Sequence, residues 1–474
     1  MNKLRLAIPM NGKMSVRTFH SPQFRKALEQ KGNFELFYFV DPYYFQSSGL
    51  NASHYFPLKI EEYNNFLQRN GLIQSLGEFR RFVVQTETTD LRFRDSIEDR
   101  LFVPGSVAHT WIYAAFIDIM RHLPIAFGQL AAWYESVVAQ SSSHQEILQR
   151  EALNCVLVPG IGSSGFWYEG LFAQEAQRTG LKAFSAITNY DNLVNRGFRS
   201  FMPDRLAVWS QQMADEAIQL QRIPANRIEI TGPVQYDRYF LPLSTNRDVF
   251  LKTRGLDPAQ KTIFFAGGVN ITRYFEIYSL LLAPNRKHQH PHNLVFRPYP
   301  HSKLLNSPGW KALEMLLTET EKVYISDPFT ASSDNLQMAD IRRDLLEHEQ
   351  EIDELHGLLK FSDVMINTFS TISLEAAICD LPTIHLGYDA YTFGHRYNMT
   401  TAFQQRQTHN CRKLRLAAAK VVRDEDELLE YTELYLTDRN RDREVRYDYA
   451  LSECGYLDGQ SSNRLAEMIK AFVA

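Results

Sequence analysis

Cysteine is scarce and scattered. Four occur in 474 residues, at positions 155, 379, 411 and 454, and no Cys-x-x-Cys pair exists. That excludes a zinc-ribbon or disulfide framework and leaves the thiols as small core residues, Cys155 within Asn154–Pro159 being the plainest case. Long hydrophobic runs are also missing. The most apolar stretch, Trp111–Val138, is broken by Asp118, Arg121, His122, Pro124 and Glu135. It cannot cross a bilayer and reads as a buried or amphipathic helix pair. It leaves open peripheral contact with a membrane or a lipid-linked acceptor. The chain lacks excess charge of one sign: 51 basic against 55 acidic side chains leave a formal net charge of −4. The overall footprint of a nucleic-acid binder is therefore absent. The first apolar run is too short for a signal-peptide core and reads as a strand. A cytoplasmic setting is expected.

What is present is a rhythm. Short apolar runs of strand type alternate with helical stretches, the pattern of βαβ units and parallel sheets. Strands are expected at Leu4–Pro9, Phe34–Val40, Cys155–Val158, Lys182–Thr188, Arg205–Trp209 and Arg227–Ile230. After the connector Leu241–Asn246 the rhythm restarts at Thr262–Phe265, Asn293–Arg297, Lys322–Ile325, Asp363–Asn367 and Pro382–Leu386. A length of 474 residues exceeds a single core. The expected division is therefore a first domain over 1–242 with a largely helical insertion at about 57–150, a second over 243–450, and a C-terminal helix over 451–474. The chain from 413 onward reads as mostly helical.

Several strand ends carry residue types suited to phosphate. In Phe361–Tyr388, a strand leads through Ser370, Thr371 and Ser373 into a helix bearing Glu375. Free N–H groups, the helix dipole and hydroxyls at such a turn suit a diphosphate, and an early carboxylate suits ribose hydroxyls. The same residues also make ordinary helix caps. Gly267 and Gly268 follow the first strand of the second half, where a backbone can approach a phosphate closely. Asn270 and Arg273 lie in the same loop. In Asn293–Ser302 the strand ends in Arg297 and, past two prolines, His301. Arginine can grip phosphate through two N–H groups, and histidine can donate to a departing oxygen. In the first half, Pro159–Gly165 holds Gly162, Ser163 and Ser164 and precedes Glu169; these four and Asn192 are the expected acceptor-side residues. The loop lacks the Lys-Ser/Thr ending of a P-loop. Asp191 and Asn192 stand after another strand. Asp191 is the first choice for a general base, with Glu169 and His20 behind it, although Asp191 and Asn192 also suit a plain Asx turn. His288, His290 and His292 alternate in a polar loop with no converging carboxylates, so no metal is expected.

The segment 361–388 resembles the donor-binding motif of GT-B glycosyltransferases and of the CDP-glycerol glycerophosphotransferases, with Asp363, Ser370, Thr371 and Glu375 in the pattern. The likeness extends from about 153 onward. It includes Tyr190, Asp191, Asn192, Arg196 and Gly197, then Tyr236–Asp237, and in the tail Asp458, Gly459, Ser461 and Arg464. The family's His-Pro pair is replaced by Tyr299-Pro300-His301. The resemblance implies an α/β fold of two Rossmann-like domains facing across a cleft. It also implies metal-independent transfer of a sugar from a nucleotide-diphosphate donor to a hydroxyl of a glycan or lipid-linked acceptor. No cofactor is expected beyond the donor substrate. Three alternatives stay open: a glycerophosphotransferase, a non-hydrolysing sugar-nucleotide epimerase, and a non-catalytic component of a polysaccharide assembly machine.

Overall fold

A computed structural model describes residues 3–42, 54–70, 80–101, 107–122, 124–138, 140–163, 167–267, 281, 292–298, 315, 322–326, 345–388 and 401–473. The chain divides into two compact units. The first comprises Met1–Phe240 with Ser452–Ala474, and the second Leu241–Leu451.

The first unit is built on a seven-stranded sheet in the order β3-β2-β1-β4-β5-β6-β7, every pairing parallel. Its strands are β1 (Leu4–Met10), β2 (Phe34–Val40), β3 (Tyr55–Pro57), β4 (Cys155–Pro159), β5 (Lys182–Ala186), β6 (Arg205–Val208) and β7 (Ile228–Ile230). The second holds a six-stranded parallel sheet, β10-β9-β8-β11-β12-β13. Here β8 is Thr262–Ala266, β9 Asn293–Arg297, β10 Val323–Ile325, β11 Val364–Asn367, β12 Thr383–Leu386 and β13 Lys420–Val422. These strands read as continuous apolar runs because helices cover both faces of a parallel sheet. Strand β4 is buried along its whole length, as are β8 and β9. Both sheets have the doubly wound order, which places a switch point between β1 and β4 and another between β8 and β11.

Two strands escape the sequence reading. Strand β3 has three residues, and β13 lies where a helical tail is expected. Both are edge strands too short to show a period. In the first unit, helices Ile60–Arg69, Glu87–Leu101, Val107–His122 and Pro124–Trp133 occupy most of the expected insertion. A small core of Phe82, Phe93, Ala114 and Ile117 joins two of them. The insertion returns to the sheet through a buried polar network. Glu175 accepts from Ser141 Oγ and from the N–H groups of Ser143 and His144, at 3.0 and 2.7 Å for the two N–H groups. His144 Nε2 accepts from the Lys59 N–H at 3.0 Å, so its Nδ1 carries the ring hydrogen facing the Tyr63 hydroxyl at 2.9 Å.

The last helix, Ser461–Val473, packs on Pro22–Lys31 of the first unit. Asp237 caps it by accepting from the N–H groups of Ser461 and Ser462 at 2.9 and 2.6 Å. Asp458 pairs with Arg464 and accepts from the Gln460 N–H. Gly459 turns at φ 67° where a Cβ would meet Phe240. The tail motif is accounted for by capping and turning.

Candidate functional site

In the second unit the turn after β11 lies at the sheet's switch point, beside the buried Gly267 that follows β8. Phe369 adopts φ 54°, a conformation uncommon for a side chain of this bulk. It is held there by two contacts: its ring stacks on His385 at 4.5 Å, and its N–H donates to His385 Nδ1 at 3.3 Å. Burial, then the charge of Lys413, holds the His385 pKa well below its ordinary value, so the ring is neutral at physiological pH. The turn then delivers Ser370 and Thr371, both half-buried, to the start of the short helix Ile372–Ile378. Neither hydroxyl bonds within the described protein, and Thr371 supplies no side-chain cap. These two groups are open to a ligand. Glu375 is buried on the helix that follows.

Two expected donor-binding residues are otherwise engaged. Ser373 Oγ donates to the Ser370 carbonyl and accepts from Asn367 Nδ2 at 3.3 Å and Lys413 Nζ at 3.0 Å. With three partners it braces the turn and has no capacity left for phosphate. Arg297 bonds Ser326 Oγ at 2.9 Å through one terminal nitrogen and pairs with Glu351 through the other, with both charged groups buried. The guanidinium expected to grip a phosphate is held by a carboxylate of the protein itself. Asp363 likewise serves the scaffold, accepting from the Thr262 N–H at 2.8 Å and pairing with Lys261 at 3.0 Å. Gly268, Asn270, Arg273 and His301 lie outside the described residues.

In the first unit, the loop after β4 turns at Gly160 and Gly162, at φ 70° and 66°. A Cβ on Gly162 would lie 1.9 Å from Ser200 Oγ and 2.9 Å from the Gly170 Cα. This glycine therefore serves loop-to-helix packing. Ser163 is buried with its hydroxyl unpartnered, and Ser164 lies outside the described residues. Glu169, early in the helix Trp167–Arg178, is fully buried, and neither carboxyl oxygen finds a partner. Burial alone pushes its pKa up to about 8, so at neutral pH it carries a proton. Glu169, a weaker candidate base in the sequence together with His20, therefore holds no ionised carboxylate at neutral pH.

Asp191 ends the loop after β5 and opens the helix Asn192–Asn195. Its Oδ2 accepts from Asn195 Nδ2 at 2.8 Å. Asn192 Oδ1 accepts from the Asn189 N–H at 3.1 Å and from Thr188 Oγ at 3.5 Å. Asn192 is thus a turn-closing residue with its carbonyl spent. His20 is occupied by the Tyr55 hydroxyl at 3.0 Å. Among the described residues no three His, Cys, Asp or Glu side chains gather as a metal site. No described helix is long and apolar enough to cross a membrane.

Sequence reasoning passed over His385 and Lys413. His385 is hidden inside an apolar strand, and Lys413 sits in a run of basic residues that reads as solvated surface. Only the packing of Thr408–Arg415 onto the turn buries Lys413.

No family model matches the sequence, and no curated protein does. Solved structures do. A UDP-N-acetylglucosamine 2-epimerase structure aligns over 100% of this chain and 97% of its own, at TM-score 0.55 and 11% identity. The UDP-GlcNAc 2-epimerase from Methanocaldococcus jannaschii, in complex with UDP-GlcNAc and UDP, aligns over 99% of this chain and 100% of its own, at 0.51 and 12%. The wall teichoic acid polymerase TagF overlaps 60% of each chain at TM-score 0.35 and 12% identity, too weak a likeness to carry the narrower glycerophosphotransferase resemblance. At such identities the shared property is the fold: this chain has two Rossmann-like units with parallel sheets of seven and six strands, of the GT-B type seen in the UDP-GlcNAc 2-epimerases.

Proposed function

We propose that the chain is an enzyme acting on a nucleotide-diphosphate sugar, with a UDP-linked hexosamine as first candidate, and that it changes the sugar's configuration without passing it to an acceptor. The observation that carries the reading is the whole-chain likeness to UDP-GlcNAc 2-epimerases, with 97–100% of those chains also covered. The local chemistry is compatible. In doubly wound sheets ligands bind outside the carboxyl ends of the strands at a switch point. In the second unit that position holds Gly267 and the open hydroxyls of Ser370 and Thr371, which suit the diphosphate. Glu375 would serve the nucleotide or sugar. Configuration change at a sugar carbon needs one group to take a proton and another to give one. Asp191 is assigned the role of base. Glu169, protonated at neutral pH, is assigned that of acid. No metal or further cofactor is assigned.

The test is an NMR assay of the purified chain with UDP-GlcNAc in deuterated water. Appearance of a second UDP-sugar with deuterium at the inverted carbon supports the reading. Release of UDP with the sugar appearing on an added hydroxyl acceptor would favour the transferase reading instead. No stabilisation by any of UDP, GDP, CDP or CMP compounds in a melting screen would remove both.

A further inference from the structure

The helical insertion brings three arginines to one turn of the first unit. Arg81 precedes the helix Glu87–Leu101, Arg92 lies within it, and Arg196 closes the short helix Asn192–Asn195. The two helices pack together. Thr86 Oγ donates to the Val194 carbonyl at 2.7 Å, and the Phe198 N–H donates to the Arg80 carbonyl at 3.0 Å. Gly197, at φ 86°, lets the chains touch: a Cβ there would stand 2.5 Å from the Arg81 Cα and from the Arg80 carbonyl oxygen.

Arg80, whose Nε also lacks a partner, is nonetheless held through its terminal nitrogens. It pairs with buried Glu135 at 2.9 Å and donates to the Phe198 carbonyl at 3.3 Å. Arg81, Arg92 and Arg196 have no hydrogen bond and no ion pair among the described residues. The Nε atoms of Arg92 and Arg196 are closed off from solvent without a partner. Burial, then the like charges of Arg81 and Arg196, pull Arg92 down to about 10, with Asp191 and Asp95 pulling the other way. All three side chains are half-buried, and like charges repel more strongly where water screens them poorly. A multivalent oxyanion offsets that repulsion, and guanidinium groups match phosphate oxygens in geometry.

We propose that Arg81, Arg92 and Arg196 form a phosphoryl-binding site in the first unit, beside the carboxylate of Asp191. The site does not depend on the nucleotide-sugar reading, whose diphosphate is assigned to Ser370 and Thr371 of the second unit. The phosphoryl group could belong to inorganic phosphate or pyrophosphate, to a nucleotide, or to a phosphorylated acceptor.

The experiment uses the full chain, with melting temperature and calorimetric titration as readouts. Pyrophosphate and inorganic phosphate are the probes, and sodium chloride at matched ionic strength is the control. At about ten times Kd, pyrophosphate should raise the melting temperature by roughly 3 °C. Arg92→Met and Arg196→Met should each weaken binding at least about tenfold, the effect of losing one charge-assisted bond. In chloride alone Arg92→Met should melt no lower than the parent, because a strained charge has gone. Arg196→Lys, which keeps the charge and loses the fork, gives a milder variant should the others fold poorly; it should weaken pyrophosphate binding by a few-fold. Loss of UDP binding in Arg92→Met identifies a nucleotide source, and retained UDP binding identifies a separate phosphorylated compound. The proposal is overturned if chloride matches the pyrophosphate shift, or if the arginine variants bind pyrophosphate as the parent does.

Discussion

The turn after β11 in the second unit and the turn after β5 in the first occupy comparable positions at the ends of parallel strands, yet they treat charge in opposite ways. In the second, the protein engages its own cations: Arg297 is paired with the Glu351 carboxylate, and Lys413 donates to the Ser373 hydroxyl. Among the described residues, two neutral hydroxyls remain open there. In the first, Asp191 is partly occupied by Asn195, while the Nε atoms of Arg92 and Arg196 have no partner among the described residues. A strand end thus advertises a ligand through the groups the fold leaves unsatisfied, whatever residue types it carries.

The sharpest way to break this comparison is to remove Arg297. If it braces the second unit, Arg297→Ala leaves Glu351 buried without its cation. The expected cost is about 3–5 kcal/mol, read by denaturant unfolding. The double change Arg297→Met with Glu351→Leu removes both charges and should recover most of that loss. A stable Arg297→Ala protein that fails only in nucleotide binding would return Arg297 to the phosphate.

The second test concerns Glu169. Its folded pKa of about 8 lies above the ordinary 4.5 of a glutamate. Its contribution is therefore fully present below pH 4.5 and is lost as pH rises through 8. In that window the unfolded chain releases the proton and the folded chain holds it. The decline should reach at most about 1.4 kcal/mol per pH unit. Glu169→Gln should flatten it, being near neutral at pH 5 and stabilising by a few kcal/mol at pH 8. An unchanged slope would mean that Glu169 is ionised inside the first unit and cannot be the acid.

Glycines offer a third test with an internal control. Gly162 and Gly180 both have positive φ, at 66° and 84°, but a Cβ at 180 meets nothing within 4 Å. Gly162→Ala should cost about 3 kcal/mol from combined strain and overpacking, and Gly180→Ala about 1. Equal costs would show that the loop after β4 can relax away from Ser200.

Most strands of both sheets were accessible from the sequence because buried parallel strands appear as apolar runs; the short edge strands β3 and β13 were not. Phe34–Val40 and Asn293–Arg297 were legible to the residue. The site was legible only as positions. Ser370, Thr371, Arg297 and Asp191 do stand at strand ends. Whether each has a partner depends on residues far away in sequence, such as Glu351 for Arg297 and Lys413 for Ser373. Pairings 54 and 40 residues apart leave no local period to detect. The unpaired arginines were hidden for the same reason, since Arg92 and Arg196 meet only when the insertion folds back.

The smallest expected effect bears most directly on function. Ser370→Ala and Thr371→Val remove hydroxyls that bond nothing among the described residues, so each should change stability by no more than about 0.5 kcal/mol. If those hydroxyls meet a charged diphosphate, each substitution should weaken UDP binding by about 1.5–3 kcal/mol, or roughly ten- to a hundredfold, measured by calorimetry. Ser373→Ala should do the reverse. It strips the partner of Lys413 and Asn367, so it should lower stability by about 1–3 kcal/mol and reach UDP only through the turn it braces. The two patterns separate a ligand contact from a brace within four residues of chain. Equal behaviour of Ser370→Ala and Ser373→Ala in both assays would mean that the turn after β11 is structural throughout and that the phosphate binds elsewhere.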